Sequence, residues 1–342
     1  MKNVKVMGVI IGLLAGLTWG LDTSVLGIVW EHGSVAEIAK NVMIFSIVST
    51  FIHDIISAAW LWIAFAVRGK LIPTLKKVAT RSGRFVILGA LLGGPIGMSG
   101  YVLAINNLGA SYTSAISAVF PAVGAFFAYI VLKDKLSLLN WFGLLLSIAG
   151  VILIGGIVTG EVENGLLGVF FALICVLGWS LEATVCAYGM KDDDIDPVAC
   201  VLLRQTTSGL TFGIVLVPIF SNYSTVIEVA QTTTIWYLVA AGLLAAVSYS
   251  CYYKAIYMIG PIRGMSTNIT YVAWTVFISI VFLGGEFSLT SMIFALIIIA
   301  GSIISVLKMQ DNPGVVKKNE PEIEAAANET ADQMDVDSNI PS

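Results

Sequence analysis

Runs of predominantly apolar residues, each about twenty residues long, recur along the chain as far as residue 309. A helix of that length rises about 30 Å, the thickness of the hydrocarbon core of a bilayer. The runs show no alternation of apolar and polar residues, so they predict helices and not barrel strands. Charged residues make up only 12% of the 342 residues, about half the share in soluble domains. The predicted fold class is therefore an all-α integral membrane protein.

The polar breaks between these runs predict ten transmembrane helices. The second is too long for an upright helix, so it must tilt or begin along the membrane surface. Beyond residue 309 the chain becomes acidic and poor in apolar residues, which predicts a disordered cytoplasmic tail over 310–342. The predicted spans are 7–30, 38–67, 84–105, 112–132, 139–158, 164–188, 198–220, 232–258, 264–285 and 289–309.

Lysine and arginine are distributed unevenly between the two sides of the predicted membrane. With a cytoplasmic N-terminus, nearly all of them fall in cytoplasmic segments, and the outside loops hold only Lys40. This asymmetry follows the positive-inside rule and predicts cytoplasmic N- and C-termini in the inner cell membrane. The basic loop 68–84 is interpreted as a topology signal or a contact with anionic lipid, and not as a nucleic-acid site.

The chain contains an internal repeat. A shift of 160 residues places Trp19 on Trp179 and Asp22 on Glu182, within the stretches WGLDTSV and WSLEATV. The repeat predicts two five-helix halves, 1–158 and 159–309. Because five is odd, the second half enters the membrane from the opposite side, which is a recurring plan in secondary transporters. A shift of 151 residues relates later positions: His53 to Arg204, Ser57 to Ser208, Gly109 to Gly260 and Gly150 to Gly301.

Several short motifs carry a resemblance to a known family. Trp19 and Gly20 lie near the middle of the first span, and a basic residue stands early in the second span of each half. The third spans end in LAINNLGAS and KAIYMIGPI, and DKLS and GEFS precede the last spans. The chain resembles the drug/metabolite transporter superfamily, of the EamA type. The resemblance implies ten helices in two inverted repeats, a small-molecule substrate, no enzymatic activity and no cofactor.

Six ionisable residues lie within the predicted spans. Such residues cost about 2.5–3.5 kcal/mol at a helix centre and therefore usually face the bundle interior or a water-filled cavity. One hypothesis is that Asp22 and Glu182 bind protons and a cationic or amine-bearing substrate in competition. The alternative is two interhelical salt bridges, Asp22 with His53 and Glu182 with Arg204. The six residues are Asp22, His53, Asp54, Glu182, Arg204 and Lys254.

Two further expectations concern the other charged positions. Adjacent helix residues point about 100° apart, so we expect only one of His53 and Asp54 to face the central site, and we favour His53 as a proton carrier. Arg204 and Lys254 lie near predicted cytoplasmic helix ends, where they either extend their head groups to the membrane surface or face a cavity.

Aromatic residues and glycines mark two kinds of helix face. Tyr249, Tyr253 and Tyr257 recur at helical spacing and form a stripe that either lines a substrate site or packs between helices. With Trp19, Trp179 and Asn268 they complete the candidate substrate- and proton-binding residues. Glycines recur at every fourth position in the first span (8, 12, 16, 20) and the third (89, 93, 97), which predicts close helix packing.

The sequence lacks the phosphate-binding glycine loop of ATP-driven pumps and any zinc-type cluster of histidine and cysteine. We therefore expect no metal and no catalytic residues. The predicted function is export of a small metabolite or cationic compound by alternating access in exchange for protons, with the lipid bilayer as solvent. An uncoupled amino-acid or metabolite facilitator and a membrane-embedded sensor are the alternatives. The oligomeric state is left open, a homodimer included.

Overall fold

The computed structural model describes residues 2–31, 33–108, 113, 116–155, 165–191, 195–284 and 288–307. The described part contains ten longer helical segments, and eight of them are long and apolar enough to cross a membrane. The shorter two are α4 and α5. The ten are α1 (Lys2–Glu31), α2 (Val42–Val67), α3 (Arg81–Leu108), α4 (Phe120–Leu132), α5 (Leu138–Gly155), α6 (Gly165–Met190), α7 (Pro197–Phe220), α8 (Thr234–Ile259), α9 (Pro261–Phe282) and α10 (Leu289–Val306).

The ten segments confirm the predicted all-α membrane fold and its number of spans. The overlong second span divides into a short helix, Ala36–Ala39, and the 26-residue helix α2. The side chain of Asn41 caps α2 by accepting from the amide of Ile44, which explains why the helix begins there. The ninth span begins three residues earlier than predicted, at Pro261. The predicted tail 310–342 lies outside the described residues, and the predicted half boundaries remain predictions.

The two halves interleave. The first helix of each half packs against the third and fourth helices of the other half: α1 on α8 and α9, and α6 on α3 and α4. The second helices α2 and α7 pack on each other, as do the last helices α5 and α10. A twofold relation between the halves produces this pattern, because it exchanges helix 1 with 6, 2 with 7 and 3 with 8. Positions equivalent by sequence therefore meet at the centre of the bundle.

The glycine ladder of α1 is a packing face, as predicted. A Cβ atom at Gly12 or Gly16 would lie 2.2 Å from the hydroxyl oxygen of Thr267 or Thr270 in α9, and one at Gly20 would lie 2.6 Å from Trp274. Only glycine allows this approach. The close contact also brings Ser248 of α8 to the backbone of α1, where its hydroxyl donates to the carbonyl of Ala15 at 2.9 Å.

A turn within α9 has an equivalent just before α4. In α9 the turn Ile269–Thr270 separates the helices Pro261–Asn268 and Tyr271–Phe282. A turn at 118–119 precedes α4, and the shift of 151 residues superposes the two turns. Pro121 follows its turn within the first turn of α4, where a missing amide costs nothing. Pro95 lies in a widened, π-helical stretch of α3, Leu92–Met98. Interruptions at matching places of two repeats are typical of transporter cores.

Candidate functional site

A buried acid–base group lies between α1 and α2 in the first half. Asp22 of α1 approaches the imidazole of His53 in α2, with Oδ1 3.3 Å from Nε2. The other ring nitrogen, Nδ1, is 3.1 Å from Oδ1 of the neighbouring Asp54. All three residues are buried. A neutral imidazole donates from only one nitrogen, so both contacts are hydrogen bonds when the ring carries both protons.

The second half holds the equivalent group, more tightly bonded. Arg204 of α7 donates from Nε to Oε1 of Glu182 in α6 at 2.7 Å, and from Nη2 to Oε2 at 3.4 Å. The phenol of Tyr253 in α8 also donates to Oε1, at 3.0 Å. The guanidinium lies over the ring of Tyr249, 4.2 Å from its centroid. Arg204 is 1% exposed, so these partners replace its hydration completely.

Two reciprocal hydrogen bonds join the halves at the contact of α2 with α7. Ser208 donates to Oδ2 of Asp54 at 2.6 Å, and Gln205 donates from Nε2 to the hydroxyl of Ser57 at 2.7 Å. The shift of 151 residues that relates Ser57 to Ser208 also relates Asp54 to Gln205. Each half therefore contributes the same two positions to the other, as a twofold axis between α2 and α7 requires.

Arg204 links the two groups into one network. Its Nη1 donates to Gln205 and lies 3.8 Å from Oδ2 of Asp54. The network thus runs without interruption from Asp22 through His53, Asp54 and Arg204 to Glu182. Among the described residues, no group of three or more acidic, histidine or cysteine side chains is arranged to hold a metal ion.

The widened stretch of α3 accommodates the second-half group. A Cβ atom at Gly93 would lie 1.6 Å from Oε2 of Glu182, and one at Gly94 would lie 2.3 Å from the hydroxyl of Ser208. Two consecutive residues without side chains therefore form the notch that receives the carboxylate and the serine. The third-span glycines serve packing, as predicted, and also shape the site.

Aromatic rings surround the network on both sides. Trp19, one turn before Asp22 on α1, has its ring centroid 4.8 Å from Tyr249 and 6.1 Å from Tyr271. Its counterpart Trp179 lies 5.3 Å from Tyr101 and 5.7 Å from Phe120. Clusters of aromatic rings can hold a positive charge over a ring face, as Tyr249 holds Arg204.

Comparison with known proteins agrees with the duplicated architecture. The model of the EamA-like transporter family matches twice, over residues 6–156 and 166–307. The chain belongs to the EamA-like transporter family. LicB of Haemophilus influenzae is 32% identical over 222 residues, which are 64% of this chain and 74% of LicB. The crystal structure of another protein, 15% identical in sequence, superposes on this chain with a TM-score of 0.66. The superposition covers 89% of this chain and 97% of the other chain, so the two share a fold.

As an EamA-like protein of the drug/metabolite transporter superfamily, the chain is a multi-pass membrane transporter and not an enzyme. The expectation that only one of His53 and Asp54 faces the interior is wrong. Both are buried, because their partners lie on different sides: Asp22 on α1 and Ser208 on α7. The option that Arg204 extends to the membrane surface is wrong as well, since buried carboxylates lie within its reach. Lys254 is exposed near the end of α8.

The remaining predicted residues of this EamA-like transporter lie around the network. Tyr257 is partly buried and packs against the hydrophobic cluster that contains Tyr249 and Tyr253. Asn268 is buried at the interruption of α9, where its Oδ1 has no hydrogen-bond partner among the described residues. Sequence reasoning missed Gln205 as a site residue. The repeat contained the signal, because the register that superposes His53 on Arg204 also superposes Asp54 on Gln205.

Proposed function

We propose that this EamA-like transporter exports a small cationic or amine-bearing compound in exchange for protons, by alternating access. The supporting observation is the charge of the buried network. Three carboxylates, those of Asp22, Asp54 and Glu182, face one guanidinium and one imidazole. With every group ionised, one negative charge is in excess, and burial makes an uncompensated charge costly. The network therefore attracts positive charge, whether as a proton or as a bound cation.

The aromatic residues support a cation as the cargo. Trp19, one turn before Asp22 on α1, clusters with Tyr249 and Tyr271, and rings of this kind attract ammonium groups through their faces. Arg204 already occupies the face of Tyr249 in the second half, which indicates that the site accepts a positive charge over a ring. Competition between proton and cation for the same carboxylates couples their movements. With both termini in the cytoplasm, protons that enter the cell down their gradient drive the cationic substrate out of it.

The proposal can be tested with purified protein in liposomes. Labelled tetramethylammonium, ethanolamine and ethidium serve as cationic probes, with glutamate and glycerol as anionic and neutral controls. An imposed pH gradient should drive accumulation of at least one cationic probe and of neither control. Asp22→Asn should abolish the response to the gradient. Probe flux that ignores the gradient would support the uncoupled facilitator, and liposomes that accumulate none of the cationic probes would contradict a cationic cargo.

A further inference from the structure

We infer that the two halves have divided the work: the first-half group of Asp22, His53 and Asp54 exchanges protons for cations, while the second-half group stays paired throughout. The second-half group consists of Glu182, Arg204 and Gln205. This inference rests on the proposed cation–proton exchange and adds where in the network that exchange takes place. It starts from an asymmetry, because the duplication gave both halves the same positions and the residues there now differ in chemistry.

The second-half group is saturated with permanent partners. Glu182 accepts two hydrogen bonds from Arg204 and one from Tyr253, and it fits the notch at Gly93. A guanidinium does not lose its proton in proteins, so Arg204 remains a permanent cation and a permanent donor beside Glu182. The pair is also electrically neutral. A cation arriving here would have to displace a buried, bidentate arginine.

The first-half group has the opposite character. The contact between Asp22 Oδ1 and His53 Nε2 is 3.3 Å long, against 2.7 Å for its counterpart between Glu182 and Arg204. Imidazole is the side chain that gains and loses a proton most readily near neutral pH. Two carboxylates share this one imidazole, so the excess negative charge of the whole network lies in the first half. Trp19 stands one turn away from Asp22 on the same helix.

Asp54 determines which proton is exchanged. Its Oδ1 contacts Nδ1 of His53, and its Oδ2 is held by Ser208 from α7. The contact of Nδ1 with Asp54 is the shorter of the two, 3.1 Å against 3.3 Å for Nε2 with Asp22, so the neutral imidazole keeps its proton on Nδ1 and Nε2 becomes bare. The exchanged proton is therefore the one on Nε2, which faces Asp22. Asp54 is a positioning residue in this scheme.

The exchange step balances in charge and atoms. An arriving cation forms an ion pair with the Asp22 carboxylate and displaces the Nε2–H contact of the imidazolium. The imidazolium releases that proton to water and becomes neutral, so one positive charge enters as one leaves. Departure of the cation reverses the step. The charged groups that contact His53 are Asp22 of α1 and Asp54 of α2. Arg204 of α7 follows behind Asp54, and Glu182 of α6 with Tyr249 and Tyr253 of α8 lies on the far side of that guanidinium.

Nuclear magnetic resonance of labelled histidine tests this division directly. The chain has only two histidines, so His32→Gln leaves His53 as the single imidazole signal. The inference expects this signal to titrate in the folded protein without any substrate, through a neutral form protonated on Nδ1. Asp22→Asn and Asp54→Asn should each displace the titration, whereas the matched control Tyr253→Phe, which removes a bond to Glu182, should leave it in place.

The same sample can be used with a cationic probe. Tetramethylammonium, added at a pH where His53 is charged, should convert the signal to the neutral form and release about one proton per bound cation into the medium. An imidazole that does not titrate while the protein is folded, or that Tyr253→Phe moves as far as Asp22→Asn does, overturns the division of roles. These outcomes are independent of flux: the absence of gradient-driven transport in wild-type liposomes contradicts the proposed function instead.

A swap variant provides a second test. His53→Arg gives the first half the permanent cation of the second half, and retention of the fold is checked by thermal unfolding. The inference expects loss of accumulation driven by the pH gradient in this variant. Full pH-driven accumulation by a folded His53→Arg protein overturns it, because a guanidinium cannot supply the proton.

Discussion

Arg204 donates from Nε to Oε1 of Glu182 at 2.7 Å, in the interior of the bundle, and the same guanidinium lies 3.8 Å from Oδ2 of Asp54. One cation therefore compensates carboxylates from two helices and from both halves of the chain. Breaking such a buried pair by removing one partner leaves a bare charge, which costs about 3–5 kcal/mol.

This relationship predicts an order of stabilities. Arg204→Gln leaves two carboxylates without their cation and should lower the free energy of unfolding by about 3–5 kcal/mol. Glu182→Gln leaves Arg204 with Asp54 beside it and should cost less. Lys254→Gln, at an exposed position of α8, is the control and should stay within about 0.5 kcal/mol of wild type. Equal losses for Arg204→Gln and Glu182→Gln would contradict the shared-cation arrangement.

Thermal unfolding in detergent with a thiol-reactive dye measures these differences. Cys175, Cys186 and Cys200 are free and buried, so they become reactive when the helices separate. The dye therefore reports loss of tertiary packing without any need for a transport substrate. Cys251, which is partly buried, contributes a background that is the same in all variants.

The reciprocal hydrogen bonds between α2 and α7 predict unequal effects at equivalent positions. Ser208→Ala removes a donor from the Asp54 carboxylate and should cost about 1.5–3 kcal/mol, as for bonds to charged groups. Ser57→Ala removes an acceptor from the amide of Gln205 and should cost about 0.5–1.5 kcal/mol. The two variants are matched controls for each other, and a larger loss for Ser57→Ala would argue against the described pairing.

The notch in α3 predicts that Gly93 tolerates no side chain. Gly93→Ala places a methyl group 1.6 Å from Oε2 of Glu182, so the carboxylate must leave its position, at a cost of about 3 kcal/mol or more. Gly27→Ala in α1 is the control, because no atom of the described residues beyond its own turns of helix lies within 4 Å of the added Cβ. That variant should be neutral or gain up to about 1 kcal/mol from helix propensity. Comparable stability of the two alanine variants would show that Glu182 does not occupy the notch.

Asp134 predicts a pH dependence of stability. It lies in the segment 133–137 after α4, buried against Arg263 of α9, with Oδ1 3.3 Å from Nη1. Burial raises the pKa of the Asp134 carboxyl above its ordinary value of 3.8, although Arg263 beside it acts in the opposite direction. The folded state thus holds the proton more tightly than the unfolded state. This residue's contribution to stability falls as the pH rises through the window above 3.8.

The Asp134 contribution is isolated by comparison with Asp134→Asn. Unfolding midpoints measured over a series of pH values should fall more steeply with rising pH in wild type than in this variant. Glu37→Gln, at an exposed acid near α2, should run parallel to wild type. Wild-type and Asp134→Asn curves that also run parallel would mean that the carboxyl has the same pKa in both states.

Much of the architecture could be predicted from the sequence alone. Hydropathy determined the number and approximate bounds of the spans, since a bilayer imposes a minimum apolar length on every crossing helix. The repeat showed that Asp22 is equivalent to Glu182 and His53 to Arg204, because duplication preserves the order and spacing of positions along a chain. The glycine ladder of α1 predicted close packing, because only small residues let the backbones of two membrane helices touch.

The pairs Asp22–His53 and Glu182–Arg204 were one of two alternatives drawn from the sequence, and the tertiary structure decided for them and added the remaining partners. Asp54 belongs to the site because α7 brings Ser208 to its far oxygen, and Arg204 is buried because α6 supplies Glu182 within reach. The Glu182 carboxylate fits against Gly93 only because α3 crosses α6 at that residue. Sequence records the residue types and their spacing within one helix. Pairing between helices depends on how the helices cross and on how far each side chain reaches, and those distances exist only in the folded bundle.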